Sequence, residues 1–377
     1  MSSRFVRALA LSASLTMSLS FAAADSFSIE PLADASALSP APMKIGGRVV
    51  TVKREDGSAA YRFQWPGVYF ETAFTGARAA FRIGEGDAIY RVRVDDNTGS
   101  KLVKPAPGVY VLEGISEGAH TLRIDVVSEN QGGAASFGGV LVPSGAAAQA
   151  PAARRRTIEF IGDSHTVGYG NTSPTRESGG DQVWLTTDTS QAFGPLVAAH
   201  FGADYQVNAI SGRGIVRNYN GGAGTTLPEA YPFAWFDGRT PVADRGWKPQ
   251  IVVIGLGTND FSTALNPGEK WPTRDALHAD YEASYVAFVQ RLRARVPDAF
   301  VILAANDMAD GEIQQEVKKV VERLQAAGDR RVGLVEYPPM ELTACDWHPS
   351  LADHRKMAQA LIDYIESRSD LWKGAKG

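Results

Sequence analysis

The pattern of apolar and polar positions changes character partway along the chain. From about Lys44 to Val142, short segments alternate with a period of two: "GRVVTV", "YRFQW", "GVYFETAF", "ARAAFRI", "IYRVRVDD", "GVYVLEG", "HTLRIDVVS" and "FGGVLVP". Gly, Asn, Asp and Pro clusters separate them at roughly ten-residue intervals, the turn spacing of an antiparallel layered domain. This half is expected to be an all-β sandwich or jelly roll, each strand burying one face. From Thr157 the alternation gives way to near-continuous apolar runs, "TIEFIG", "YQVNAIS", "QIVVIGLG", "FVILAAND" and "RVGLVEY", with helical stretches among them. Strands apolar on both faces belong in a parallel sheet covered by helices on both sides. Helices are expected from Thr273, as N-cap, to Val296; from about Gly311 to Ala327, stopped by Gly328; and from Ser350-Leu351 to about Ser369.

Between the two regimes, residues 143–156, "PSGAAAQAPAARRR", are Ala/Pro-rich and aperiodic and read as an interdomain linker. At the other end, residues 1–24 carry Arg4 and Arg7, then an apolar stretch, then Ala22-Ala23-Ala24, the layout of a cleaved signal peptide. Its apolar part is short and rich in Ser and Ala, unlike a membrane anchor. The expected division is therefore a signal peptide over 1–24, a β-sandwich over 25–142, a linker over 143–156 and an α/β domain over 157–377. The mature protein is expected to be secreted or periplasmic, with no membrane association after cleavage.

Composition narrows the partners. Across 377 residues, 44% hydrophobic and 21% charged positions suit a soluble globular chain. A net charge of -4 and a pI near 5.9 leave no basic surplus to neutralise phosphates, so no nucleic-acid partner is expected. Cys345 is the single cysteine, which excludes an internal disulfide and a thiolate metal site; the six histidines show no HExxH spacing. Neither a metal nor a cofactor is expected.

In an open α/β sheet, ligands bind outside the carboxyl ends of the strands. The unusual polar residues fall there: Gly162-Asp163-Ser164 after the first strand, "NAISGRG" with Gly212 and Gly214 after the second, "GLGTND" with Asn259 and Asp260 after the third, and "CDWHPS" with Asp346 and His348 after the last. A hydroxyl, a glycine turn, an amide and an imidazole are the parts of an acyl-transfer site. The serine needs a base, and the tetrahedral oxyanion needs fixed donors. Of the histidines, only His348 lies in a strand-end loop, braced by Pro349. His165 adjoins Ser164, but neighbouring side chains on a turn diverge, so it is expected at most to line the site. His200, His278 and His354 fall in helical patterns and His120 in the β-rich half. Asp163 and Asp260 are expected to brace their turns. Arg213 and Arg217 suit either the site or an ion pair, and Trp347 either a core or a sugar platform. Trp184, Trp235 and Trp247 lie in irregular stretches where a binding rim could form.

"GDSHTVGYG", "NAISGRG", "GLGTND" and "DWHP", in this order, resemble blocks I, II, III and V of the SGNH (GDSL-type) hydrolases. With a β-rich domain in front and a final block reading "CDWHP", the arrangement is similar to carbohydrate esterase family 2. Those are exported enzymes with a jelly roll before an SGNH domain, which deacetylate plant-wall polysaccharides. The resemblance implies a flavodoxin-like three-layer α/β/α domain, with Ser164 as nucleophile and His348 as general base and then acid. It implies an oxyanion hole from the backbone N–H groups of Ser164 and Gly212 with the Asn259 side chain. An acetylated polysaccharide or oligosaccharide would be the partner, with Trp347 and His165 as candidate substrate contacts. One position departs: the superfamily's Asp-x-x-His places its acid where Cys345 stands. Either Asp346 completes a triad through a folded-back turn, or a Ser-His dyad operates with a backbone carbonyl as orienter. Two other functions compete. An SGNH lipase or thioesterase needs an apolar trough, whereas the loops here are rich in Gly, Asn, Thr and Trp. A silent carbohydrate-binding protein would not need the intact Ser, Gly, Asn and His set.

Overall fold

Phe63, Phe70, Phe81, Tyr90 and Phe137 are fully buried and meet between two antiparallel sheets, as the period-two pattern requires. A computed structural model describes residues 27–372 except for 96, 244, 245 and 369; the expected signal segment, 1–24, lies outside the described residues. One sheet runs in the order Ser28–Leu32, Gly108–Glu113, Ala79–Ile83, Ala135–Pro143, Ala59–Phe63, Val50–Lys53, with Leu38–Pro40 also on Ala135–Pro143. The other runs Ala148–Gln149, Tyr69–Thr75, Ala119–Val126, Ile89–Val94, Asn97–Val103, with Lys44–Gly46 also on Tyr69–Thr75.

The second domain is built on five parallel strands: Arg156–Gly162, Ala203–Ala209, Ile251–Gly255, Phe300–Ala305 and Val332–Glu336, first to fifth in chain order. Their spatial order is second, first, third, fourth, fifth, so the chain reverses direction of growth beside the first strand. Alternate positions feed two separate cores. Ile161, Val252, Ile254 and Val301 pack with helices Arg274–Arg295 and Glu312–Ala326. Ile158, Phe160, Val253 and Ile302 pack with helices Phe193–His200 and Leu351–Glu366 on the other face. Thr273 is the expected cap, accepting the Ala276 N–H at 3.2 Å, and the last helix starts where expected, with Ser350 and Asp353 exchanging hydrogen bonds in a capping box. The last helix ends at Glu366, a little short of the expected limit.

The aperiodic stretch read as an interdomain linker is fastened to both domains. Ala148 and Gln149 pair with Phe74 and Ala73, adding an edge to a sheet of the sandwich. Arg154 then places its guanidinium between Glu71 of the sandwich, at 2.8 and 2.9 Å, and Asp204 of the parallel sheet, at 2.7 Å. Tyr69 and Lys44 converge on the same Asp204 carboxylate. Nearby, Trp65 of the sandwich is fully buried within a core of the α/β domain and donates its indole N–H to Phe233 O at 3.0 Å. Arg48 lies over both the Trp65 and Tyr231 rings.

Because the two domains share Trp65, Trp65→Ala is expected to cost about 3–5 kcal/mol in urea unfolding. Wild type should unfold in a single calorimetric transition; two well-separated transitions would show that the domains are thermodynamically independent.

Candidate active site

The first strand ends against the third, and Gly162 makes this possible: a Cβ there would lie 1.9 Å from Thr166 Oγ1 and 2.9 Å from Gly255 O. The chain then turns into the short helix Ser164–Val167, with Asp163 as N-cap accepting the His165 N–H at 3.1 Å. Ser164 thus stands at the carboxyl edge of the sheet, at the first position of a helix, where a backbone N–H has no intrahelical acceptor.

His348 reaches Ser164 from the loop after the fifth strand, with Nε2 2.9 Å from Ser164 Oγ. Its Nδ1 faces two backbone carbonyls, Cys345 O at 3.0 Å and Asp346 O at 3.1 Å. Carbonyls only accept, so Nδ1 carries the proton and Nε2 presents its lone pair to the serine hydroxyl. The backbone that aims those carbonyls is unusual: Asp346 (φ 50) and Trp347 (φ 62) are both left-handed. Two such residues together cost a few kcal/mol. Three contacts hold the turn: Asp346 N–H donates to Arg176 O at 2.8 Å, Ala344 N–H to His348 O at 3.2 Å, and Tyr169 O–H to Asp346 Oδ2 at 3.0 Å. The Asp346 carboxylate therefore faces Tyr169 and not the imidazole. Of the two arrangements left open, the geometry has the backbone carbonyls, one of them from Cys345 at the superfamily's acid position, on Nδ1. The reason is local: the left-handed turn directs carbonyl oxygens inward and the Asp346 side chain outward.

The imidazole is sandwiched. Tyr169 stacks on it at 4.2 Å with an interplanar angle of 30°, and His165 meets it edge-on at 5.5 Å. Burial pushes the His348 pKa below the ordinary value, against the opposing pull of the two carbonyls and of Asp346. His165 is itself buried and also pushed down, by burial first and by His348 and His354. It lines the cleft chiefly as packing behind His348.

On the other side of Ser164, Gly212 follows the second strand with φ +81, a conformation that favours glycine although a Cβ would meet nothing there. Asn259 Nδ2 donates to Asp163 Oδ2 at 3.2 Å and to Arg213 O at 3.0 Å. Burial, reinforced by Asp260, raises the Asp163 pKa to about 7. Asp260 braces the second loop: its carboxylate accepts the N–H groups of Ile215, Val216 and Arg217 at 2.9–3.0 Å. Arg217 is buried against Glu269 at 2.6 Å, and Arg213 donates to Ala223 O, so both arginines hold loop structure.

Ser164, Gly212, Asn259 and His348 open into a cleft of about 550 Å³. Its rim carries two large exposed aromatics, Trp347 (61% exposed) and Tyr219 (57%), with Arg176 stacked on Trp347 at 3.7 Å. The other tryptophans considered for a rim are engaged elsewhere: Trp184 with Glu129 O, Trp235 beneath Arg62, and Trp247 with Glu159. His120, His200 and His278 hydrogen-bond carboxylates away from the cleft, and His354 is buried, accepting the Phe193 N–H. Sequence reasoning missed Tyr169 and Tyr219; the only signal for them was an aromatic in the Gly- and Asn-rich loops beside Ser164 and Gly212.

A serine and imidazole meeting over the switch point of a 2-1-3-4-5 sheet, beside strand-end glycine and amide groups, place the protein among the SGNH-type carboxylic ester hydrolases. Family models agree with both halves: "Carbohydrate esterase 2 N-terminal" matches residues 45–151 and "GDSL-like Lipase/Acylhydrolase" residues 158–361. The chain is 42% identical over 339 residues to an acetylxylan esterase / glucomannan deacetylase of Cellvibrio japonicus (strain Ueda107), covering 90% of this chain and 94% of that one. A solved carbohydrate esterase, whose active site is described as having divergent catalytic and non-catalytic binding functions, superposes with a TM-score of 0.83. It shows 41% identity over 89% of this chain and all of its own. A family two esterase of Clostridium thermocellum in complex with cellohexaose superposes with a TM-score of 0.74 at 26% identity, covering 87% of this chain and 99% of that one. The chain belongs to carbohydrate esterase family 2.

With its carboxylate on Tyr169, Asp346→Asn is expected to keep kcat for p-nitrophenyl acetate within about tenfold of wild type. A loss near 10⁴-fold, the scale for an acid that bonds the catalytic imidazole directly, would put the carboxylate on His348 during turnover.

Proposed function

We propose that this chain is an exported serine esterase that removes O-acetyl groups from a plant-wall polysaccharide such as acetylxylan or acetylated glucomannan. The observation that carries the reading is the 2.9 Å contact between Ser164 Oγ and His348 Nε2 on the floor of an open cleft with aromatic rims. An open cleft admits a chain internally, and Trp347 and Tyr219 offer flat faces on which sugar rings can stack. The substrates named for the Cellvibrio relative support the choice of polymer. Export rests on the Arg4/Arg7, apolar, Ala22-Ala23-Ala24 pattern. The division into signal 1–24, sandwich 25–142, linker 143–156 and catalytic domain 157–377 is part of this reading.

In the mechanism, Ser164 Oγ attacks the acetyl carbonyl carbon while its proton passes to His348 Nε2. The carbonyl oxygen, now an oxyanion, is met by the N–H groups of Ser164 and Gly212 and by the Asn259 amide, which turns one N–H from Arg213 O to the oxyanion while the other stays on Asp163. Collapse breaks the bond to the sugar oxygen, which takes the proton from Nε2 and leaves as the alcohol. Water then attacks the acetyl-serine, giving its proton to Nε2. That proton returns to Oγ as acetate departs. Throughout, Cys345 O and Asp346 O accept from Nδ1–H and stabilise the transient imidazolium.

Ser164→Ala and His348→Ala should each lower acetate release from acetylated xylan and glucomannan by at least about 10³-fold, and octanoyl esters should be much poorer substrates than acetyl esters. Wild-type turnover by Ser164→Ala would sink the assignment. The base must be neutral to act, and the His348 pKa lies below its ordinary 6.5. The acid limb of kcat/KM is therefore expected below pH 6.5, with activity lost as pH falls through it and retained above. A limb at or above 6.5 would contradict a buried imidazole.

A further inference from the structure

The parallel domain does not hold its own second-block turn alone. A loop of the sandwich, just after the Ala119–Val126 strand, reaches the turn that carries Gly212. Glu129 Oε1 accepts the Ser211 N–H at 2.7 Å, Gln131 Nε2 donates to Ser211 O at 3.2 Å, and Gln131 Nε2 also donates to Glu129 Oε1 at 3.0 Å. Ser211 O and Gly212 N–H belong to one peptide unit. In a trans peptide these two groups point in opposite directions, so fixing the oxygen fixes the direction of the N–H. A glycine with φ +81 follows, a residue whose backbone is otherwise free to rotate.

The loop that carries the pair is itself rigid. Val127 N–H donates to Ile89 O at 2.9 Å and Thr189 N–H to Val127 O at 3.0 Å. Ser128 is buried, accepting the Ile89 N–H and donating to Asn130, and Gln64 bonds the Asn130 carbonyl. Glu129 O in turn accepts the Trp184 indole N–H at 2.9 Å, from the α/β domain.

We propose that Glu129 and Gln131 are positioning residues: the sandwich domain clamps the Ser211–Gly212 peptide so that its N–H faces the acetyl oxyanion. The proposal rests on the reading of Gly212 as an oxyanion donor. It gives the β-domain a part in catalysis distinct from binding glycan. The clamp touches no reacting atom, so its effect should fall on the transition state and spare ground-state binding.

The test uses the full chain and p-nitrophenyl acetate. Gln131→Ala and Glu129→Ala are each expected to lower kcat about tenfold, a fraction of what loss of a whole oxyanion donor costs, with KM within about twofold. Glu129→Gln should recover most of what Glu129→Ala loses, because an amide oxygen still accepts the Ser211 N–H. The double alanine variant should lose less than the product of the singles, since both side chains hold one peptide. Affinity for methylboronic acid, which forms a tetrahedral adduct on the serine, should weaken in step with kcat. If both alanine variants turn over like wild type while Ser164→Ala is inert, the clamp is wrong and the site reading stands. A Ser164→Ala variant as active as wild type overturns the site reading and the clamp with it. A loss shared between kcat and KM, with lowered Tm and no rescue by Glu129→Gln, means a loosened domain junction and overturns the clamp.

Discussion

Two backbone carbonyls on the Nδ1–H of His348 set the chemistry of this site. They fix the tautomer and turn the Nε2 lone pair toward Ser164, and among the described residues no carboxylate hydrogen-bonds the ring. A carbonyl is a weaker partner for an imidazolium than a carboxylate, because it carries only a partial charge. Having two of them, in a buried setting, offsets part of that difference. The cost appears in the backbone, where Asp346 and Trp347 are both left-handed. That strain persists because the surroundings over-determine the turn. Asp353, at the start of the last helix, accepts the N–H groups of Glu341 and Leu342, and Arg176 donates to the carbonyls of the same two residues. Gly170 admits the Cys345 side chain, since a Cβ there would lie 2.4 Å from Cys345 Cβ.

The same turn serves two ends. By directing carbonyls inward it orients the imidazole, and by the same rotation it leaves Trp347 61% exposed at the cleft rim. Asp346, displaced from the imidazole, holds the hydroxyl of the tyrosine that stacks on the imidazole. Asp346 thus meets the imidazole through the Tyr169 ring and through its charge, with no direct hydrogen bond from its carboxylate to the ring.

The two domains form one structural unit. Trp65 is buried in the other domain's core, Arg154 joins Glu71 to Asp204, and Glu129 and Gln131 reach the second strand-end turn. Since stabilisation by burial is shared across this junction, the sandwich is part of the scaffold that holds the cleft. An aperiodic, Ala- and Pro-rich stretch such as 143–156 gave no hint of this, because its fastening depends on a two-residue strand pairing at Ala148 and Gln149 and on the Arg154 side chain, all with partners far away in sequence.

Periodicity and local chemistry were enough to read the order of the domains, the five parallel strands, the cap at Thr273, the helix start near Ser350, and the strand ends at which Ser164, Gly212, Asn259 and His348 stand. These are properties of adjacent residues, and burial of a period-two or continuous apolar run leaves few alternatives. Tertiary structure alone decided what the imidazole's second nitrogen meets, that Tyr169 covers it, and that a loop of the sandwich holds the Ser211–Gly212 peptide. The second and third of those contacts join residues tens to hundreds of positions apart, the first only two and three positions apart, and each turns on a backbone direction that residue types do not encode. Asp346 makes the point most simply: two positions from His348 in sequence, its carboxylate is turned to Tyr169 by a φ of 50°.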